Sequence, residues 1–137
     1  MGDLSMEQTL SKWQPAALSL LRIITGLLLF QYGVAKILKF PPDSPFAKVE
    51  LMSLIGAAGA LELILGALLL IGLFTRPVAF ILSGEMAFAY FIGHFPKNFF
   101  PVISGGSLAI ALCFTCLYLV TAGGGPYSVD AMMGKKS

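Results

Sequence analysis

Charge is what this chain has least of. Only 12% of its residues are Asp, Glu, Lys or Arg, against 57% that are hydrophobic. The formal net charge of +2 is too small to draw a polyanion to the surface, so nucleic acid is excluded as a partner. Histidine and tryptophan occur once each and cysteine twice. A zinc site takes three or four protein ligands at recognisable spacing. No such spacing exists here, and no metal site is expected. A P-loop and a dinucleotide-binding glycine motif are also missing. The N-terminal stretch MGDLSMEQTLSKWQP has no basic region leading into a short apolar run and no A-x-A cleavage site. It reads as a retained cytosolic or interfacial segment, not a signal peptide. Met6 stands where a myristoylation motif needs Ser or Thr.

What the chain has in quantity is long apolar sequence, with a mean hydropathy of +0.86. About 20 apolar residues cross a bilayer. Four segments approach that length, over residues 13–37, 51–74, 78–94 and 107–122. Backbone exposed to lipid has to satisfy its own hydrogen bonds, which excludes open sheets. The expected fold is therefore all-α: one domain, 1–137, forming a four-transmembrane-helix bundle with both termini on the same side of the bilayer. Lys12, Arg76, Lys135 and Lys136 fall on the terminal side, and Lys36, Lys39, Lys48 and Lys97 on the other. Lys36 counts for less at a helix end, which tips the positive-inside rule towards cytoplasmic termini.

The few charges inside these segments locate the candidate site, because charge at bilayer depth is costly and usually functional. Arg22, Gly26, Leu29, Gly33 and Lys36 share one face of the first segment. Ile55, Gly59, Glu62, Gly66 and Leu69 share one face of the second. Small residues let membrane helices approach closely, so both charged faces point inward. Glu85 lies in the third segment. At a rise of about 1.5 Å per residue, Arg22 and Glu85 fall roughly 11–14 Å from the terminal side and Glu62 roughly 18 Å. Arg22 is accordingly expected to contact Glu62 or Glu85. Such a contact is either a register-fixing salt bridge or part of a working site. One arginine cannot neutralise two carboxylates. The excess acid makes Glu62 and Glu85 candidates for proton uptake and release.

His94 closes the third segment at the end away from the termini, near Lys36. It is read either as an interfacial histidine bonding loop carbonyls or as a donor to a quinone-type carbonyl. A metal or haem would need more ligands than one histidine supplies. Tyr32 and the third connection, FPKNFFPVISGG with Phe99 and Phe100, could complete an aromatic ligand-binding surface or serve as packing and interface belt. That connection is too short to span and too apolar for a free linker, and is expected to cap the bundle end. Thr75-Arg76-Pro77 reads as a tight turn, and the glycine-rich segment after Ala122 as leaving the membrane. Cys113 and Cys116 have C-x-x-C spacing but lie mid-helix, where burial keeps thiols inert and an i, i+3 pair has poor geometry for a disulfide.

Several motifs in order resemble the DoxX family. They are Gly33-x-x-Lys36, Gly59-x-x-Glu62-x-x-x-Gly66 with Gly72-x-x-Thr75-Arg76, His94-Phe95 through Phe100-Pro101 to Gly105-Gly106, and the closing Gly123 to Asp130. Ser107 departs from the acid that many members carry after the paired glycines. The resemblance implies a four-helix protein of the bacterial cytoplasmic membrane, often labelled an oxidoreductase. It leaves two functions open. One is a redox-associated subunit that binds a quinone or similar lipid-soluble molecule. The other is a non-catalytic accessory subunit or assembly factor of a larger membrane complex. The expected partners are the lipid bilayer and other membrane subunits or further copies of the chain.

Overall fold

A computed structural model describes residues 2–46, 48 and 50–134. Among these residues every regular element is a helix. In chain order they are α1 (Gly2–Ser11), α2 (Gln14–Gly33), α3 (Leu54–Ile71), α4 (Thr75–Ala89), α5 (Pro101–Ser104), α6 (Ser107–Ala122) and α7 (Val129–Met132). Wider π-helical turns extend α2 through Val34–Leu38 and α4 through Tyr90–His94. Among the described residues two helices are long and apolar enough to cross a membrane: Gln14–Leu38, counting the π turn, and Leu54–Ile71. Lys135 and Lys136, weighed above for orientation, lie outside the described residues.

The long helices pack as two antiparallel pairs, α2 with α3 and α4 with α6. Glycine sets the closeness of the first pair. A Cβ on Gly26 would come 2.5 Å from the Leu70 nitrogen, and one on Gly66 2.7 Å from the Phe30 nitrogen. One on Gly33 would strike the backbone of Leu63. Side chains at these positions would force the helices apart. The same pairs fix the register: residue 26 faces 70, 30 faces 66 and 33 faces 63. The core between the two pairs holds Leu29, Leu69, Leu82, Cys116 and Leu119, each with no exposed surface.

The turn from α3 to α4 lies earlier than the sequence suggests. Gly72 takes a left-handed φ of 77° and Phe74 one of 54°. Thr75-Arg76-Pro77 already forms the first turn of α4. A proline there removes no intrahelical hydrogen bond. The segment after Ala122 does not leave the bundle either. Gly123, Gly124, Gly125, Ser128 and Asp130 are buried against its end. Asp130 accepts hydrogen bonds from the backbone N–H groups of Phe74 and Thr75, both at 2.9 Å. It thus caps α4 from far along the chain, where the helix has no side-chain cap of its own.

Candidate functional site

Arg22 is buried, but not beside the carboxylates. Its Nη1 donates to the Gly124 carbonyl at 2.7 Å, and Nη2 to Tyr127 O at 2.9 Å and Leu70 O at 3.4 Å. Ser19 joins this network, with its hydroxyl accepting from the Tyr127 N–H at 3.1 Å. Asp130 supplies the nearby negative charge. Arg22 therefore clamps the C-terminal segment and is not the charge partner of Glu62 or Glu85. The register explains the difference. Four residues beyond the Gly26–Leu70 pair, Arg22 is level with Phe74 at the turn. The first two turns of α2 run past that turn by roughly 12 Å, so depths measured from each helix's own start do not share an origin.

Lys36 holds the place that Arg22 was expected to fill. Its Nζ donates to Glu62 Oε1 at 2.9 Å and Oε2 at 3.1 Å, and both residues are buried. Lys36 sits at the far end of α2, with its Cβ against Gly59. Side chains on a helix lean towards its N-terminus, so the lysine stem runs back into the bundle and reaches Glu62 one turn deeper. Gly59 provides the room, because a Cβ there would lie 2.5 Å from Lys36 Cβ. The rings of Tyr32 and Phe46 flank the ammonium, with centroids 5.8 Å and 5.0 Å away, within cation–π range. Phe46 gets there because the first connection folds back. It is held by an edge-to-face contact with Tyr32 at 6.0 Å and by Lys39 Nζ donating to Phe46 O at 3.1 Å. Phe46 is a contributor that sequence reasoning missed. Its only signal was an aromatic ring in a connection too proline-rich to stay helical.

Glu85 stands across the seam on α4. Glu62 is its like-charged neighbour, and Lys36 also acts on it. Both Glu85 carboxyl oxygens are shut off from solvent, and the polar side chain near enough to share a hydrogen bond with them is that of Glu62. Behind it on α6, the Cys113 and Cys116 thiols are free. Ser83 donates to the Cys113 carbonyl at 2.8 Å, and Cys116 is fully buried.

Lys36, Glu62 and Glu85 line a half-open groove of about 740 Å³ between the two helix pairs. Pockets of this size accept drug-sized organic molecules. Tyr32, Phe46 and His94 also line it, and its remaining wall is mostly aliphatic. Gly84 lies on its open side, where an added Cβ would meet nothing within 4 Å. At the end of the groove, His94 Nδ1 is 3.1 Å from the Ser104 carbonyl. A carbonyl only accepts, so Nδ1 carries the hydrogen, and in the neutral ring Nε2 is an acceptor. This is the loop-bonding arrangement, and it is at odds with a neutral His94 donating to a quinone carbonyl.

Phe99 and Phe100 are not groove residues. They end a chain of edge-to-face and tilted ring contacts that runs from Tyr90 and Phe91 through Phe95, with centroid spacings of 5.2–6.1 Å. Phe99 is 69% exposed. The chain of rings leads along the third connection to the start of the short helix α5.

The DoxX family profile matches residues 17–95, which include most of α2, all of α3 and α4, and the groove residues Lys36, Glu62 and Glu85. The chain belongs to the DoxX family. A Haemophilus influenzae protein that carries the description "Uncharacterized protein" is 40% identical over 133 residues. The alignment covers 93% of this chain and 98% of that protein. No solved structure matches. DoxX membership and the two long apolar helices together make this a membrane protein. In this DoxX chain the second-helix motif Gly59-x-x-Glu62-x-x-x-Gly66 has a physical content. Its glycines bring α2 within reach, and its acid takes the lysine of Gly33-x-x-Lys36.

Proposed function

We propose that this chain is a four-span protein of the bacterial cytoplasmic membrane, with cytoplasmic termini, whose groove binds a quinone or a similar lipid-soluble molecule. α2, α3, α4 and α6 are the spans in this reading. The opening between α3 and α4 then faces lipid, flanked by Leu61, Ile81 and Phe88, all exposed at the protein surface. A ligand dissolved in the bilayer reaches such an opening without crossing water. Glu62 and Glu85 exchange protons with it, Lys36 holds Glu62 in place, and Tyr32 and Phe46 pack on its ring. The single observation that carries the reading is Glu85. A buried carboxyl group whose close neighbour is a second acid, at the edge of a ligand-sized apolar groove, is costly to maintain unless it is used. In this role the chain is a redox-associated subunit working with other membrane subunits or further copies of itself.

The test is labelling of the reconstituted protein by a photoreactive quinone. Gly84→Phe fills the groove from a position with open space around it, so the bundle stays folded while labelling drops several-fold. Unchanged labelling in Gly84→Phe places the ligand elsewhere and refutes the reading.

A second reading is favoured by the exposed rings at Phe95, Phe99 and Phe100. Apolar surface concentrated at one end of a bundle suits a partner subunit. In that case the chain is a non-catalytic accessory or assembly subunit, and the ion pair serves to lock the helices together.

A further inference from the structure

Access to the acid pair differs sharply between the two ends of the bundle. From Glu62 and Glu85 the groove continues to His94, Lys97 and Gly105, at the end away from the termini. In the other direction it stops. Leu29, Leu69, Leu82 and Leu119, all without exposed surface, close the bundle one to two turns beyond the acids. Past that layer the segment from Gly123 to Asp130 lies across the bundle end, pinned by Arg22, Ser19 and the Asp130 cap. Most polar groups in this plug are bound to each other and to backbone, while Arg22 Nε and Thr75 Oγ1 are buried without a hydrogen-bond partner among the described residues. Between the plug and the acids the interior core is mainly apolar, and the buried hydroxyls of Thr25 and Ser83 are tied to the Leu21 and Cys113 carbonyls. Polar side chains and water carry protons between sites, and a dry aliphatic layer does not.

We infer that Glu62 and Glu85 exchange protons only with the water on the side of the membrane away from the termini. Whatever proton leaves or reaches the bound molecule therefore comes from, or goes to, that one compartment. The groups facing Glu85 are Lys36 from α2, Glu62 from α3, and Cys113 and Cys116 from α6. None of them extends a polar path through the leucine layer. The mouth on the far side is polar, with the His94 ring and the Lys97 ammonium at its edge. This inference rests on the proton-exchanging role proposed above for the two acids, and it adds a direction to it.

A hydrophobic carbodiimide tests it, because such reagents reach membrane carboxyls from lipid and modify them only when they carry a proton. The full-length protein is reconstituted in vesicles with one orientation, and adduct at Glu85 is followed by mass spectrometry. Glu85→Gln and Glu62→Gln assign the signal. Raising the pH on the far side from about 6 to about 10 should slow labelling by about tenfold, while the same change on the terminal side leaves it unaltered. Leu82→Asn, which puts a polar group into the sealing layer, should make labelling respond to both sides. Labelling that follows the terminal-side pH, or both sides equally, in the unmodified protein overturns the one-sided route and leaves the binding reading standing. Labelling indifferent to pH on both sides overturns the proton-exchanging role as well. Vesicles that hold an imposed pH difference serve as the control for intact membranes.

Discussion

Lys36 shows how far a charge can lie from its own backbone position. Its Cα belongs to the last turn of α2, while its ammonium sits in the bundle interior on Glu62. Burying both charges costs several kcal/mol each, and their mutual bond returns it only while both remain. Lys36→Met should therefore destabilise the bundle by about 3–5 kcal/mol, because it leaves Glu62 buried without its counter-charge. Lys36→Met with Glu62→Leu should be markedly more stable than the single variant. Thermal unfolding in detergent, with the two single changes and the double change compared, measures the difference. A double variant as unstable as Lys36→Met would mean that the charges contribute something beyond pairing with each other. Glu85 behaves differently. It lies outside the Lys36–Glu62 ion pair, and a glutamine keeps its shape and can still hydrogen-bond to Glu62, so Glu85→Gln should leave stability within about 0.5 kcal/mol.

At the level of elements, α4 depends on a residue outside itself. Its N-cap position is Phe74 in a left-handed conformation, which offers no side-chain oxygen to the first N–H groups. Asp130 supplies both acceptors, and its own N–H donates to Gly72 O at 2.9 Å. Asp130→Ala should cost about 0.5–2 kcal/mol, the range for loss of a cap. It should also free the C-terminal segment. Hydrogen exchange at the amides of Phe74 and Thr75 should rise by roughly tenfold or more, with little change in α2 or α3. Equal exchange in the variant would show that the cap is not what orders this turn. The close α2–α3 pair is the contrasting element, because its register is written into glycines in the two helices themselves.

For the molecule as a whole, the division into two helix pairs is what creates the groove. Packing is tight within each pair, and the seam between them opens beside Glu85. The ring chain at the far end is separate from that seam. Phe99→Ser with Phe100→Ser should therefore leave photoreactive-quinone labelling intact. It should weaken assembly with a partner subunit, read by co-purification from native membrane. Loss of labelling with assembly unchanged would tie the rings to the groove after all.

Composition alone made this chain helical and membrane-borne, because a chain with so little charge and such long apolar runs has few other ways to satisfy its backbone. Periodicity alone showed that Glu62 lies on an inward, glycine-lined face, since helix geometry converts spacing directly into direction. Which cation meets that acid was not readable from spacing. It depends on how far α2 overhangs the α3–α4 turn and on which way a lysine stem leans, and both are set by packing between helices. The fate of the Gly123–Asp130 segment was likewise hidden. A glycine-rich polar stretch looks like a free tail until Arg22 is found away from Glu62 and Glu85, with three backbone carbonyls as its acceptors and Asp130 nearby. The groove came from tertiary structure for the same reason. An empty space is a property of how two pairs of helices fail to fill the volume between them, and no single helix carries that in its sequence.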